Sequence, residues 1–257
     1  MLLAIDVGNS NTAIGFLLGG EIRLAFRIKT DIMRTEDEYA IAIGNILNFN
    51  GLARESITGS IISSVVPPLT GVFYNAVKKL SGFDALIVGA GIKTGLNILI
   101  DDPAQLGSDI VASAVAAAAI FTPPVIVVDM GTATKITAIN KNAGFIGGAI
   151  FPGVALSMNA LANGTSQLPK VPIEAPKHCI SVNTVDCLKS GAIYGNASMI
   201  DGMIDRFERE LGGRASIVAT GGLAEAVYKH CKRDMTYDRH LILRGLEIIY
   251  QRNIKKR

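Results

Sequence analysis

The chain has 257 residues, 49% of them hydrophobic and 18% charged, enough apolar material for one large or two modest cores and too much for a disordered chain. Its net charge of +3 comes from basic residues scattered as far as a closing IKKR, so no stripe suited to nucleic acid forms and the tail reads as a solvated end. Cys179, Cys187 and Cys231 are odd in number and lack CxxC or zinc spacing even with His178 alongside, which excludes a disulfide framework and fits free thiols in a reducing cytoplasm.

The first stretch, LLAIDVGNSNTAIGF at 2–16, starts directly as a strand, with no basic segment ahead of an apolar one, so no leader peptide is expected. The aliphatics Leu2 to Ile5 suit a buried strand. Asp6 must then lie where the strand leaves the core, because an unpaired buried carboxylate is costly. Gly8 permits a tight turn, and Asn9, Ser10, Asn11 and Thr12 bring donors to it. Two readings remain open on this stretch: a plain hairpin turn, or a seat for an anion and a metal.

Further along, TEDEYAIAIGNILNFNG predicts a helix opened by a capping box from Thr35 to Glu38 and stopped at Gly51. ITGSIISSVVPP predicts a strand ended by Pro67 and Pro68, with a helix through GVFYNAVKKLSG and a short strand at ALIV. Asp102 and Pro103 predict the cap and start of a helix over residues 104–121. Its apolar run IVASAVAAAAIF is too short to cross a bilayer. Asp129 opens a second hairpin that GGAIFPG closes. NTVDCLKSGAIYGNASMIDGMIDRFEREL predicts the longest helix, ASIVATGGLAEAV a strand, glycine turn and helix, and LILRGLEIIYQ a final helix.

An internal repeat organises these elements. VIVVDMGTATKITAI at 125–139 aligns with residues 2–16 without a gap, placing Asp129 on Asp6, Gly131 on Gly8, Thr132 on Asn9 and Thr134 on Asn11. Two α/β halves are expected, residues 1–121 and 122–257, with the helix over 240–254 able to pack back on the first. VGAGIKTG at 88–95 lacks the glycine before Lys93 that a P-loop needs, and Thr94 stands where a dinucleotide fingerprint needs its third glycine.

Two Asp–x–Gly turns followed by TGG at 220–222 resemble the nucleotide-binding segments of the acetate and sugar kinase, heat-shock protein 70 and actin superfamily. The finer set is similar to type III pantothenate kinases along essentially the whole chain: DVGNSNT, ISSVVP, TGL, DP then LGSD, VDMGTATK, GGAIFPG, NTVDCLKSGAIYG and TGGLA. The resemblance implies an α/β fold of duplicated ribonuclease H-like (actin-like ATPase) domains, with mixed sheets flanked by helices. It implies ATP-dependent phosphorylation of pantothenate to 4′-phosphopantothenate in the cytoplasm, the opening step of coenzyme A synthesis, with no nucleic-acid or membrane partner.

Residue by residue, the resemblance sets ATP phosphates against Asp6, Val7, Gly8, Asn9, Ser10, Asn11, Thr12, Ala13 and Thr132, and adenine near Gly221 and Gly222. Glycine turns suit phosphate because their backbone N–H groups form an anion nest; a plain strand-to-helix turn also accounts for Gly221–Gly222. Asp6 would hold Mg²⁺, mostly through water, and Asp129 a monovalent cation, K⁺ or NH₄⁺. Asp109 falls on the proton acceptor, with Ile100, Gly107, Ser108 and Ile110 around the acceptor substrate. Thr184 falls on a substrate-binding threonine that reaches across a homodimer interface; an N-cap at Asn183 or Thr184 is the plainer reading, and both can hold.

The chain departs from the family pattern at two positions. Ile110 stands where an arginine follows the Gly-Ala-Asp motif, and Ile100 where a tyrosine is usual. Losing a charge-assisted contact to a carboxylate removes about 1.5 to 3 kcal/mol. A weaker grip on pantothenate, a substitute group, or a less polar acceptor alcohol would each follow. A non-catalytic regulatory relative has no need of Asp6, Asp109 and Asp129 together.

Overall fold

A computed structural model describes residues 1–254; Lys255, Lys256 and Arg257 of the expected basic tail lie outside them. In chain order the first elements are β1 (Leu2–Val7), β2 (Asn11–Leu18), β3 (Glu21–Lys29), α1 (Glu36–Phe49), β4 (Gly59–Ser64), α2 (Pro67–Ser81), β5 (Leu86–Ile87), β6 (Asn97–Ile98) and α3 (Ser108–Ile120). After them come β7 (Val125–Met130), β8 (Ala133–Ile139), β9 (Gly144–Pro152), α4 (Val154–Gly164), α5 (Thr184–Ser190), α6 (Asn196–Leu211), β10 (Ser216–Thr220), α7 (Ala224–Val227), β11 (Thr236–Tyr237) and α8 (Leu241–Asn253). Among the described residues no helix is long and apolar enough to cross a membrane.

The chain forms two compact units. The first comprises Met1–Gly95, Asp102–Ala116 and the described residues from Leu241 to Ile254. Its sheet has the order β3-β2-β1-β4-β5, antiparallel from β3 to β1 and parallel from β1 to β5. All six residues of β1 are buried, which is why it reads as an unbroken aliphatic run. Leu3, Ile5, Phe16, Tyr39, Ile43 and Phe73 lie in one core cluster. The capping box of α1 is present, Thr35 accepting from the Glu38 backbone and Glu38 from the Thr35 backbone, and Gly51 follows at φ +67°.

Helix α2 begins at Pro67 itself; proline is preorganised for a first helical turn, so the pair starts the helix as well as ending the strand. The helix expected over 104–121 starts later, at Ser108. Asp102 does cap, accepting from the Ala104 backbone, but what it caps is a short 3₁₀ turn over Pro103–Gln105, after which Leu106 is extended.

The second unit comprises Leu96–Asp101 and Ala117–His240. Its sheet has the order β11-β10-β7-β8-β9-β6. Strands β9-β8-β7-β10-β11 repeat β3-β2-β1-β4-β5 in order and direction, and β6 adds an edge strand beside β9. The repeat seen in sequence is thus a repeat of topology. Its alignment needs one correction. Asp6 pairs with Ala13 across β1–β2, whereas Asp129 pairs with Lys135 across β7–β8. The second turn is one residue shorter, so Lys135 matches Ala13 rather than Thr12. The longest expected helix is divided into α5 and α6 by a π-helical turn at Gly191–Gly195.

Candidate active site

Asp6 is the next-to-last residue of β1, buried at 8% exposure. Its parallel neighbour in the ladder is Ser63 of β4, whose Oγ donates to Asp6 Oδ1 at 2.8 Å. The turn beyond Asp6 is drawn tight by the Gly8 N–H donating to the Asn11 carbonyl at 3.2 Å, and a Cβ at Gly8 would lie 2.9 Å from that oxygen. Thr30 holds the turn from behind: its hydroxyl donates to the Gly8 carbonyl at 2.7 Å and meets Thr12 Oγ1 at 2.9 Å. Asn9, Ser10 and Asn11 face solvent, while Val7 and Thr12 are buried and Ala13 is half-buried.

The start of α3 comes to the same place. Ser108 Oγ is 3.0 Å from Ser63 Oγ and accepts from the Ser64 backbone N–H at 3.1 Å. Asp109, in the first turn of α3, is half-buried, and its Oδ1 accepts from the Ile110 backbone at 2.8 Å. A Cβ at Gly107 would stand 2.6 Å from that carboxylate oxygen, so the glycine leaves the acid its position. Gly107, Ser108, Asp109 and Ile110 therefore share the start of one helix, joined to Asp6 through two serine hydroxyls. Ile100 lies in the second unit, 3.9 Å from where a Cβ on Gly147 would be.

In the second unit Asp129 is the next-to-last residue of β7, as Asp6 is of β1, again at 8% exposure. Thr220 is its parallel neighbour, the counterpart of Ser63. Across β8, Lys135 Nζ lies 2.7 Å from Asp129 Oδ2, with the two side chains 16% and 11% exposed. Thr132 is exposed in the turn between the strands, and its carbonyl accepts from the Gly153 backbone at 3.1 Å. Gly221 has φ +100° and is pressed on the backbone of Met130, while Gly222 is exposed. The TGG turn and the second acid turn are thus in contact. Thr184 is the exposed first residue of α5; Asn183 is the N-cap, accepting from the Asp186 backbone.

Sequence reasoning missed Ser63 and Lys135 as members of these clusters. The signal for Ser63 was its place in ISSVVP, at the end of the strand beside β1. For Lys135 there was a charged residue in an otherwise apolar strand. The expected free thiols are found: Cys179 and Cys187 are exposed, and burial, with Asp201 nearby, pushes the Cys231 thiol up to about 12.

A duplicated sheet order with an acid near the end of the first strand of each copy is the arrangement of duplicated ribonuclease H-like domains. Solved structures agree at the level of fold. A conserved Baf family protein from Campylobacter jejuni superimposes with a TM-score of 0.63 at 22% identity over 98% of both chains. Component A of the Acidaminococcus fermentans (R)-2-hydroxyglutaryl-CoA dehydratase gives 0.56 at 15%, over 97% of this chain and 96% of that one. The family model for type III pantothenate kinase matches residues 2–206. Type III pantothenate kinases from Moorella thermoacetica and an Anaeromyxobacter species are 39% and 42% identical, each over 98% of this chain and all of theirs. The chain belongs to the type III pantothenate kinases, which phosphorylate pantothenate in coenzyme A biosynthesis; it is an ATP-using kinase, a class that generally needs Mg²⁺.

Proposed function

We propose that Asp109 is the general base that takes the proton from the primary hydroxyl of pantothenate as that oxygen attacks the γ-phosphorus of ATP. The new O–P bond forms as the bond from the γ-phosphorus to the β-phosphate bridging oxygen breaks, and ADP leaves. The observation that carries this reading is the serine link from Asp6 through Ser63 to Ser108, which ties the acid of the phosphate turn to the helix start that bears Asp109. Phosphoryl transfer has a loose transition state, so positioning and charge neutralisation supply most of the rate.

Within the first unit the turn from Asp6 to Ala13 is a phosphate-binding element; within the second, Thr132 is its phosphate-binding counterpart and Gly221 and Gly222 form the adenine-binding turn. The donors at Asp6 fit magnesium. Among the described residues no group of three or more metal-ligating side chains forms, and magnesium is bound through one or two carboxylates plus water and phosphate oxygens rather than a protein cage. Bound there, it would neutralise charge on the phosphates. A monovalent cation at Asp129 would compete with the Lys135 ammonium, which already stands against that carboxylate.

Pantothenate lies by Gly107, Ser108 and Ile110 in the first unit; Ile100 and Thr184 are the further substrate residues that the resemblance implies, Thr184 acting from a second copy in a homodimer. Ile180, Val182 and Val185, close to Thr184 in the chain, are exposed apolar residues, which supports such an interface. A cytoplasmic enzyme without nucleic-acid or membrane partners completes the reading. A coupled assay of ADP release with ATP, Mg²⁺ and pantothenate tests it. Asp109→Asn is expected to lower turnover by about 10² to 10⁴ while ATP affinity stays within about twofold. An active Asp109→Asn removes the base, and turnover of other alcohols but not pantothenate reassigns the acceptor.

A further inference from the structure

Asp6 and Asp129 are the same residue of a repeated strand, each buried to 8% exposure and each with a hydroxyl residue, Ser63 or Thr220, beside it on the parallel neighbour. They differ on the antiparallel side. Ala13 brings no charge to Asp6, whereas Lys135 brings an ammonium to within 2.7 Å of Asp129. Residues directly opposite in an antiparallel pair share a face, so the ladder itself aims Lys135 at the carboxylate. A slip of one residue would turn it to the other side of the sheet.

The ion that the family resemblance implies at Asp129 carries a single positive charge, K⁺ or NH₄⁺. A lysine ammonium is a compact point charge with rotatable N–H donors, in effect NH₄⁺ tethered to the chain. A second cation on the same buried carboxylate would meet like-charge repulsion. We propose that Lys135 supplies the monovalent positive charge of the ATP site, so that nucleotide binding in this protein needs no added monovalent cation. The inference rests on the reading of the second acid turn as part of an ATP site. A pair that serves only to hold the hairpin together would change stability on mutation and would create no response to cations.

The test is calorimetric titration of ATP with Mg²⁺ into the full chain at constant ionic strength. Tetramethylammonium is the only monovalent cation in one buffer, and K⁺ or NH₄⁺ replaces it in the others. Wild-type affinity is expected to change by less than about threefold across the series. Lys135→Met is expected to bind about tenfold or more weakly in tetramethylammonium, near 1.4 kcal/mol, and to recover most of the loss in NH₄⁺ or K⁺. A wild-type affinity that rises about tenfold with K⁺ overturns the proposal, as does a Lys135→Met protein that binds like wild type in every buffer. If the variant fails to fold, the wild-type cation series decides alone. Failure of ATP to bind in any buffer overturns the ATP-site reading, and this proposal with it; cation-dependent binding overturns the proposal and leaves that reading standing.

Discussion

At Gly221 the backbone lies at φ +100°, and a Cβ there would sit 2.6 Å from the backbone N, C and O of Met130. Both facts forbid a side chain, since positive φ penalises any Cβ and the obstructing atoms are backbone that cannot rotate away. The Leu223 N–H donates to the Met130 carbonyl at 3.0 Å, so the turn is anchored on the strand that ends in the second acid. Gly221→Ala combines the positive-φ penalty with overpacking and is expected to destabilise by about 2 to 4 kcal/mol, read from the denaturant midpoint. The TGG was visible in the sequence as a glycine turn. That its first glycine is a steric requirement was not, because Met130 is distant in the chain and meets it only through the β7–β10 pairing.

Helices α3 and α8 approach closely in the first unit, and a Cβ at Gly245 would fall 1.8 Å from the Ala112 carbonyl oxygen. Gly245→Ala must force the two backbones apart and is expected to cost about 3 kcal/mol, the upper end for overpacking. Gly71 lies inside α2 with nothing within 4 Å of a built Cβ, so Gly71→Ala is expected to stabilise by about 0.5 to 1 kcal/mol from helix propensity alone. Thermal midpoints of the two variants should therefore move in opposite directions, and a shared direction refutes the crossing. What sequence made legible at this scale was local: the α1 capping box, both hairpins, the strand–turn–helix at TGG and the final helix. It missed what register decides. The gapless alignment set Lys135 on Thr12, and only the pairing of β7 with β8 moves it to the place of Ala13 and so onto Asp129. The two-residue strands β6 and β11 are too short to leave a periodic signal. The start of α3 was misplaced because Asp102 is a true cap of a turn that stops within three residues.

Across the whole molecule, four acids among the described residues are buried, Asp6, Asp129, Glu208 and Glu247; the first two lie near strand ends, and Glu247 of α8 accepts from the Gly20 backbone at 3.0 Å. Glu208 of α6 is the one held by arginines. Arg233 meets its Oε1 at 2.7 Å, the Ala215 N–H donates to the same oxygen at 3.0 Å, and Arg214 lies 3.3 Å from Oε2. Burial alone would raise its carboxyl, but the Arg233 hydrogen bond, the Ala215 N–H and the two nearby arginine charges together hold it below the ordinary glutamate range. A carboxyl whose folded-state pKa is depressed adds stability that is fully present above its unfolded value, about 4.3, and lost as pH falls through the folded value. Glu208→Gln keeps the shape and removes the charge; Arg233 retains Asp205, so the loss near pH 7 is expected at about 2 kcal/mol, or about 4 to 8 °C in the thermal midpoint for a chain of this size. As pH falls below about 4.3 the unfolded wild-type carboxyl takes up its proton while the glutamine cannot, and the native one follows only at its lower value, so the two melting curves should converge as acid is added. Midpoints measured from pH 7 down to pH 3 check this, and a gap that stays constant over that range would show that the Arg233–Glu208 pair contributes nothing through its charge.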